Sequence, residues 1–364
     1  MLFRSRVALT LGGLPVRPLD LFANPFAAEK RDAMTIVPVG YHPVVLKSDD
    51  ADALLKALKS AKAVSRGQDV YVVSATIRAT EDGEPGLMVR LYNNSLEPRR
   101  GILTVESVPD GFAMNNTTRD FSVPANGELM LRMPLTEAPG VARKAEFRWR
   151  IRDEREANET GAFRISLLQV RRKDDVKVDG DLSEWKGLPT ARVERPEQVL
   201  FNAKGKWTGP EDCSASIRAA WDDENLYLAI EVTDDHFFSP KTPYWQWDSV
   251  ELFFDGDLYG DWGSDSANAD DQVMTFEANT RAGKGYSGPH EGASSTEGKV
   301  RRTEIKIPLT ALKLKPAVGA AFGFDIGVDD ADQEGKHREI QAIWTGSEYN
   351  YRDPSHYGVL LFVR

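Results

Sequence analysis

The stretch YWQWDSVELFFD, Tyr244 to Asp255, decides the fold. Read with period two, it puts Val250, Leu252 and Phe254 on one side and Trp245, Trp247, Ser249 and Glu251 on the other. The first side belongs in a core. As one regular strand, the segment turns both tryptophans and the glutamate away from that core. Tryptophan is costly to leave in water. The second side is therefore either covered by a loop, such as the long one at 256–271, or set out for a ligand.

The same period recurs outward from this stretch. ASIRAAWDD, NLYLAIEVTDD, QVMTFEAN, RRTEIKIPL, GFDIGVDDAD, REIQAIW and YGVLLFVR complete a set of strands the size of a jelly roll. In WDDENLYLAIEVTDD a turn at Asp222–Asn225 precedes a strand with Leu226, Leu228, Ile230 and Val232 on one face. On the N-terminal side DVYVVSATIRA, GLMVRLYNN, RGILTVESV, LMLRMPL and AEFRWRIRD form a second group of strands bounded by Gly, Pro or Asn. Its MVRLYNNSLEPRRGILTVESVPDGF segment resembles immunoglobulin-like sandwiches, which implies a spacer or docking domain. SDDADALLKALKSAKAV begins with capping residues and repeats apolar positions at helical spacing, predicting one short helix near 49–63. The polar break RRKDDVKVDG, Arg171 to Gly180, separates the two strand groups. The expected fold is all-β. Residues 1–65 form an extension with the helix, 66–172 an immunoglobulin-like sandwich, and 173–364 a jelly-roll-like sandwich.

Composition excludes several classes. Residues 173–364 carry 21 Lys and Arg against 35 Asp and Glu, a net −14, whereas residues 1–172 carry a net +4. An acidic half does not suit nucleic acid; it suits a solvated surface or one that holds a hard cation. The single cysteine, Cys213, rules out an internal disulfide or Cys-rich zinc site, and the five histidines lack paired spacing. No Gly-rich phosphate loop opens a helix, and no apolar run approaches a membrane span. The N-terminal MLFRSRVALTLGGLPVRPLDLF imitates a signal peptide only faintly, because Gly12, Gly13 and Pro15 break its apolar stretch.

Four blocks, VDGDLSEW, WDDENLY, YWQWDSVE and YNYRDPSHYG, occur in an order that resembles the family 9 carbohydrate-binding modules over about residues 176–364. The resemblance implies a β-sandwich that binds structural calcium and holds a terminal sugar between two aromatic rings. Trp245 and Tyr351 fall at the aromatic positions and Glu251 at the carboxylate that takes sugar hydroxyls, with Trp247, Glu348 and Arg352 as neighbours. Three family contacts depart: an Arg position falls at Met274, a Gln position at Gly327, and an Asn position near Glu348. For calcium, the acidic candidates are Asp179, Asp181 and Glu184; Asp257 and Asp261 in the 256–271 loop; and Asp329, Asp330 and Asp332.

The resulting expectation is non-catalytic carbohydrate binding in an extracellular or periplasmic, polysaccharide-directed system, with a polysaccharide or oligosaccharide as ligand and a catalytic domain or enzyme as a possible partner. Two rivals follow from the same residues. One is a glycan hydrolase or lyase using Glu251 with Asp329 or Glu348; the other is a structural surface domain with a decayed sugar site.

Overall fold

The computed structural model describes the chain apart from residues 1–6, 12–14, 20–28, 32–33, 40–44, 61, 66–69, 80–83, 96, 239–243, 257, 259–270, 277–287 and 333–336. The protein is built mostly of β-strands. Strands β1 (Val7–Thr10), β2 (Arg17–Leu19), β3 (Glu29–Arg31), β4 (Met34–Val39), β5 (Val45–Lys47) and β6 (Lys62–Ser65) form two small sheets near the N-terminus. The helix α1 (Ala51–Ser60) lies among them in sequence, its start held by the Asp50 carboxylate accepting from the Ala53 N–H at 2.8 Å.

Seven strands follow: β7 (Tyr71–Ala79), β8 (Pro85–Asn93), β9 (Arg99–Ser107), β10 (Thr118–Val123), β11 (Glu128–Pro134), β12 (Val141–Asp153) and β13 (Asn158–Arg172). Three of them make a separate sheet in the order β11-β8-β7, and the other four run β10-β9-β12-β13 and continue through β13 into the large sheet of the C-terminal half. Ile77, Leu87, Val89, Leu103, Phe147 and Ile151 fill the core between them.

The C-terminal half contains β14 (Ala191–Val193), β15 (Val199–Asn202), β16 (Cys213–Trp221), β17 (Asn225–Asp234), β18 (Ser249–Asp255), β19 (Asp271–Phe276), β20 (Glu291–Glu297), β21 (Val300–Pro308), β22 (Ala321–Asp330), β23 (Ile340–Ile343) and β24 (Gly358–Val363). Leu226, Leu228, Ile230 and Val232 enter its core, as the alternation of that block requires, together with Leu252 and Phe254. The two halves share strands. Residues Leu167–Arg171 of β13 run parallel to Val359–Val363 of β24. Along β24, Val359 and Leu361 pack into the N-terminal core, whereas Leu360 and Phe362 pack into the C-terminal one.

The motif blocks become local locks. In WDDENLY, Asp222 accepts from the N–H groups of Glu224 (2.8 Å) and Asn225 (2.7 Å) and from the Tyr227 hydroxyl (2.7 Å), closing the β16–β17 turn. In VDGDLSEW, Gly180 adopts φ +84°, a conformation that favours glycine. The turn it makes lets the Glu304 carboxylate accept from the N–H groups of Asp179 (2.9 Å) and Gly180 (2.6 Å) and from the Trp185 indole (2.7 Å). Both Glu304 and Trp185 are fully buried. Replacing Glu304 with Ala strands two buried donors and one part-buried one, so it lowers the unfolding free energy by about 3 kcal/mol or more in urea titrations. The exposed Glu297→Ala change stays within about 0.5 kcal/mol.

Candidate functional site

The site is organised on five adjacent strands in the order β19-β18-β22-β23-β15. Register assigns each side chain to a face. Glu251 lies opposite Thr275 on β19 and Gly327 on β22, while Ser249 lies opposite Asp329, Asp329 opposite Gln341, and Gln341 opposite Phe201. The other face carries Val250, Leu252, Met274, Phe276, Ile326, Val328, Ile340 and Ala342, all packed into the core. Met274, expected at a sugar-contacting position, is thus a core residue opposite Leu252; Thr275, one position on, lies beside Glu251.

Trp245 does not continue the strand. It sits in a single 3₁₀ turn, Tyr244–Gln246, and the strand begins at Ser249. The Arg338 N–H donates to the Gln246 carbonyl at 2.7 Å and holds this turn against the segment leading into β23. The Trp245 side chain is left 37% exposed, whereas Trp247 is buried and offers no open ring face.

Glu251 faces away from the core, but it is 7% exposed and so lies at the base of the face rather than at its rim. The Gln341 amide donates to its Oε2 at 3.0 Å. This is a polar partner the sequence did not reveal: Gly327 offers no side chain, and a residue one strand further on reaches the carboxylate. Asp329 lies within hydrogen-bonding reach of Glu251, accepts from the Arg338 guanidinium (2.7 Å) and the Ser249 hydroxyl (3.0 Å), and is buried. Burial, and then the Asp329 charge, push the Glu251 carboxyl well above the usual range.

Tyr351 stands on the loop that follows β23. Asp325 organises that loop from beneath, accepting from the N–H groups of Ile326 (2.8 Å), Thr345 (3.2 Å) and Gly346 and from the Asn350 amide (2.9 Å). Tyr351 is 58% exposed and the neighbouring Tyr349 44%. The Arg352 guanidinium lies over both rings, 4.6 Å from the Tyr349 centroid and 5.6 Å from that of Tyr351. Glu348 is exposed and hydrogen-bonds Tyr349. Because β18 and β23 run parallel on either side of β22, the turn that carries Trp245 and the loop that carries Tyr351 leave this set of strands at opposite ends. Tyr349 was missed because exposure in a loop leaves no periodic signal.

The acidic candidates separate. Asp257 and Asp261 lie outside the described residues. Asp179 and Glu184 each bring a carboxylate oxygen within 4.8 Å of the others and of Glu304. Asp181 instead caps the turn at Leu182–Trp185, accepting from the Ser183 N–H at 3.0 Å. A more deeply buried group forms where three strand ends meet: Asp234, Asp248 and Asp330, also within 4.8 Å, with Asp212, Asp235 and Asp332 adjoining. Burial pushes Asp234 up to about 6, Asp248 to about 8 and Asp330 to about 9, with neighbouring carboxylates adding to the effect. Both Asp330 carboxylate oxygens are buried without a hydrogen-bond partner. Arg301, packed 3.9 Å from the Phe237 ring centroid, is the cation coupled to Asp234 and Asp248. Three carboxylates with bare oxygens, whose charge the single Arg301 does not balance, fit a hard divalent ion such as calcium.

The class of this β-sandwich, a carbohydrate-binding module, follows from the family match of its C-terminal half. Residues 184–364 match the family described as carbohydrate family 9 binding domain-like, and this C-terminal half of the chain belongs to it. The chain is 27% identical over 194 residues to endo-1,4-beta-xylanase A of Thermotoga neapolitana, covering 51% of this chain and 17% of that protein. It is 30% identical over 155 residues to exoglucanase XynX of Acetivibrio thermocellus, covering 43% of this chain and 14% of that protein. Among solved structures, a family 9 module from Caldicellulosiruptor kristjanssonii in complex with cellotriose aligns with TM-score 0.45 and 23% identity, covering 54% of this chain and 93% of that one.

Asp325→Ala removes an acceptor shared by four donors. It is expected to cost about 3 kcal/mol and to accelerate hydrogen exchange at the Thr345 and Gly346 amides ahead of the rest of the sandwich.

Proposed function

We propose that the C-terminal sandwich binds a neutral glycan without transforming it, stacking sugar between Trp245 and Tyr351 and taking its hydroxyls on Glu251. The observation that carries this reading is that the exposed Trp245 lies in the turn leading into β18 and the exposed Tyr351 in the loop leaving β23, the strands on either side of the one opposite Glu251. Pyranose C–H faces pack on aromatic rings, and a carboxylate backed by the Gln341 amide accepts paired hydroxyls. Trp247 and Gln341 support the floor. Arg352 and Glu348 set the attitude of the tyrosines.

Polysaccharide is the ligand class supported by the xylanase and exoglucanase names of the relatives, which carry similar segments within much longer chains. That context also favours an extracellular or periplasmic location and a catalytic partner. No helix among the described residues is long and apolar enough to cross a membrane. The N-terminal strands, three in one sheet and four in the other, support an immunoglobulin-like spacer.

Catalysis by Glu251 and Asp329 is disfavoured by their contact. Glycosidase carboxylates stand about 5 Å or more apart, whereas these two are within hydrogen-bonding reach. We further propose that calcium, held by Asp234, Asp248 and Asp330, supplies the positive charge that Arg301 alone does not and ties three strand ends together.

In affinity electrophoresis and calorimetry with soluble xylan and glucans, wild-type protein is retarded and forms no products. Trp245→Ala and Tyr351→Ala each weaken binding at least about tenfold, and Glu251→Gln weakens it roughly tenfold to a hundredfold. Reducing sugar that appears with wild type and vanishes in Glu251→Gln overturns the proposal. For calcium, scanning calorimetry should show that an excess of the ion raises Tm by about 5 °C or more. Asp330→Asn abolishes that shift without lowering the metal-free Tm, since burial already keeps the Asp330 carboxyl neutral when no ion is bound and Asn has the same shape.

A further inference from the structure

We infer that Phe201 and Arg338 form a second, outlying subsite of the same face, so that the ligand is an oligosaccharide chain lying across the strands rather than a single terminal sugar. The inference rests on the proposed sugar site and extends it. Phe201 lies on β15, the last strand of the sheet order, and its side chain is 41% exposed. An edge strand with an exposed phenylalanine invites unwanted pairing, and proteins usually blunt such edges with charge. Here the adjoining Leu200 is exposed as well. A register shift between Val199 and Phe201 interrupts the pairing with β23 and turns Phe201 to the side of Gln341. Gln341 is the residue whose amide reaches Glu251, so Phe201 and Glu251 share one face.

The connection back to Trp245 runs through one residue. The Arg338 guanidinium lies 5.5 Å from the Phe201 ring centroid and donates to Asp329 at 2.7 Å, while its backbone N–H holds the Trp245 turn at Gln246. The guanidinium thus braces Phe201 from one side and the carboxylate pair from the other. Its side chain keeps 24% of its surface exposed, which leaves donors for a hydroxyl. Three strand spacings separate Glu251 from Phe201, roughly 14 Å across the sheet. One sugar ring stacked at Trp245 does not reach that far; a chain of several does. Two clefts lie away from this line, one of about 280 Å³ lined by Thr76, Ser166 and Tyr357 and another of about 670 Å³ beside Asp181 and Arg302.

The test is calorimetric titration of the whole chain with xylo- and cello-oligosaccharides from the monosaccharide to the hexasaccharide. The expected result is an affinity that rises with length in the wild type. Phe201→Ala should weaken the longest ligands about tenfold and leave the shortest unchanged, whereas Trp245→Ala weakens all of them. Because Phe201 is exposed, its removal leaves folding intact, which a matched melting curve checks. Wild-type affinity independent of length, or a Phe201→Ala loss equal at every length, overturns the inference alone. A wild type that binds no member of either series overturns the sugar-site reading as well.

Discussion

The register between β18 and β22 is the constraint on which the rest of the C-terminal half depends. With Glu251 opposite Gly327 and Ser249 opposite Asp329, Val250, Leu252 and Phe254 meet Val328, Ile326 and Phe324 on the core side. A slip of one residue would exchange every side chain between faces, burying carboxylates in the core and exposing phenylalanines. The hydrophobic pattern therefore fixes the polar face as strictly as the apolar one. Glu251, Asp329 and Gln341 meet because their neighbours along the chain are needed elsewhere.

This placement has an electrostatic cost. The polar face and the adjoining strand ends concentrate buried carboxylates, and each is raised by the removal of water around it. The protein manages them in two ways. Glu251, Asp329 and Asp325 receive donors from Gln341, Arg338, Ser249 and the backbone of the loop after β23. Asp330 receives none. Hydrogen-bonded carboxylates rigidify what surrounds them, and a bare one calls for a cation. The first kind builds the floor and loop of the candidate sugar face; the second marks the candidate ion site.

Much of this was legible in the sequence, for identifiable reasons. Period-two alternation assigned the core side of β17 and β18, and the Asp222 turn followed from its acid-rich tetrapeptide. The four blocks named the family that the C-terminal half belongs to. What was not legible lies where periodicity ends. The alternation from Ser249 was extended back through Trp245, yet a 3₁₀ turn intervenes and sets the indole by a backbone hydrogen bond from Arg338. Gapped motifs placed a contact at Met274, one residue from the position that faces Glu251. Gln341 and Phe201 reach the site only through β23 and β15, and no local pattern announces a cross-strand neighbour. Asp234 and Asp248 carry no local signal in the sequence, and only the fold brings them to Asp330.

Rigidity bears on how the proposed sugar face would bind. A flat site gains little from enclosing its ligand, so the affinity it offers depends on losing little on binding. Trp245 is held by its turn, the Tyr349–Tyr351 loop by Asp325 and Asn350, and Arg338 by Asp329. Aromatic rings have few torsions to freeze. β13 adds to this from outside: by running from one sandwich into the other it joins β24, and β24 pairs with β22. The strand that carries Asp325, Gly327 and Asp329 is therefore anchored through both cores. A side chain on such a strand is held in place before any ligand arrives, so at the proposed site the binding energy would go into contact rather than rearrangement.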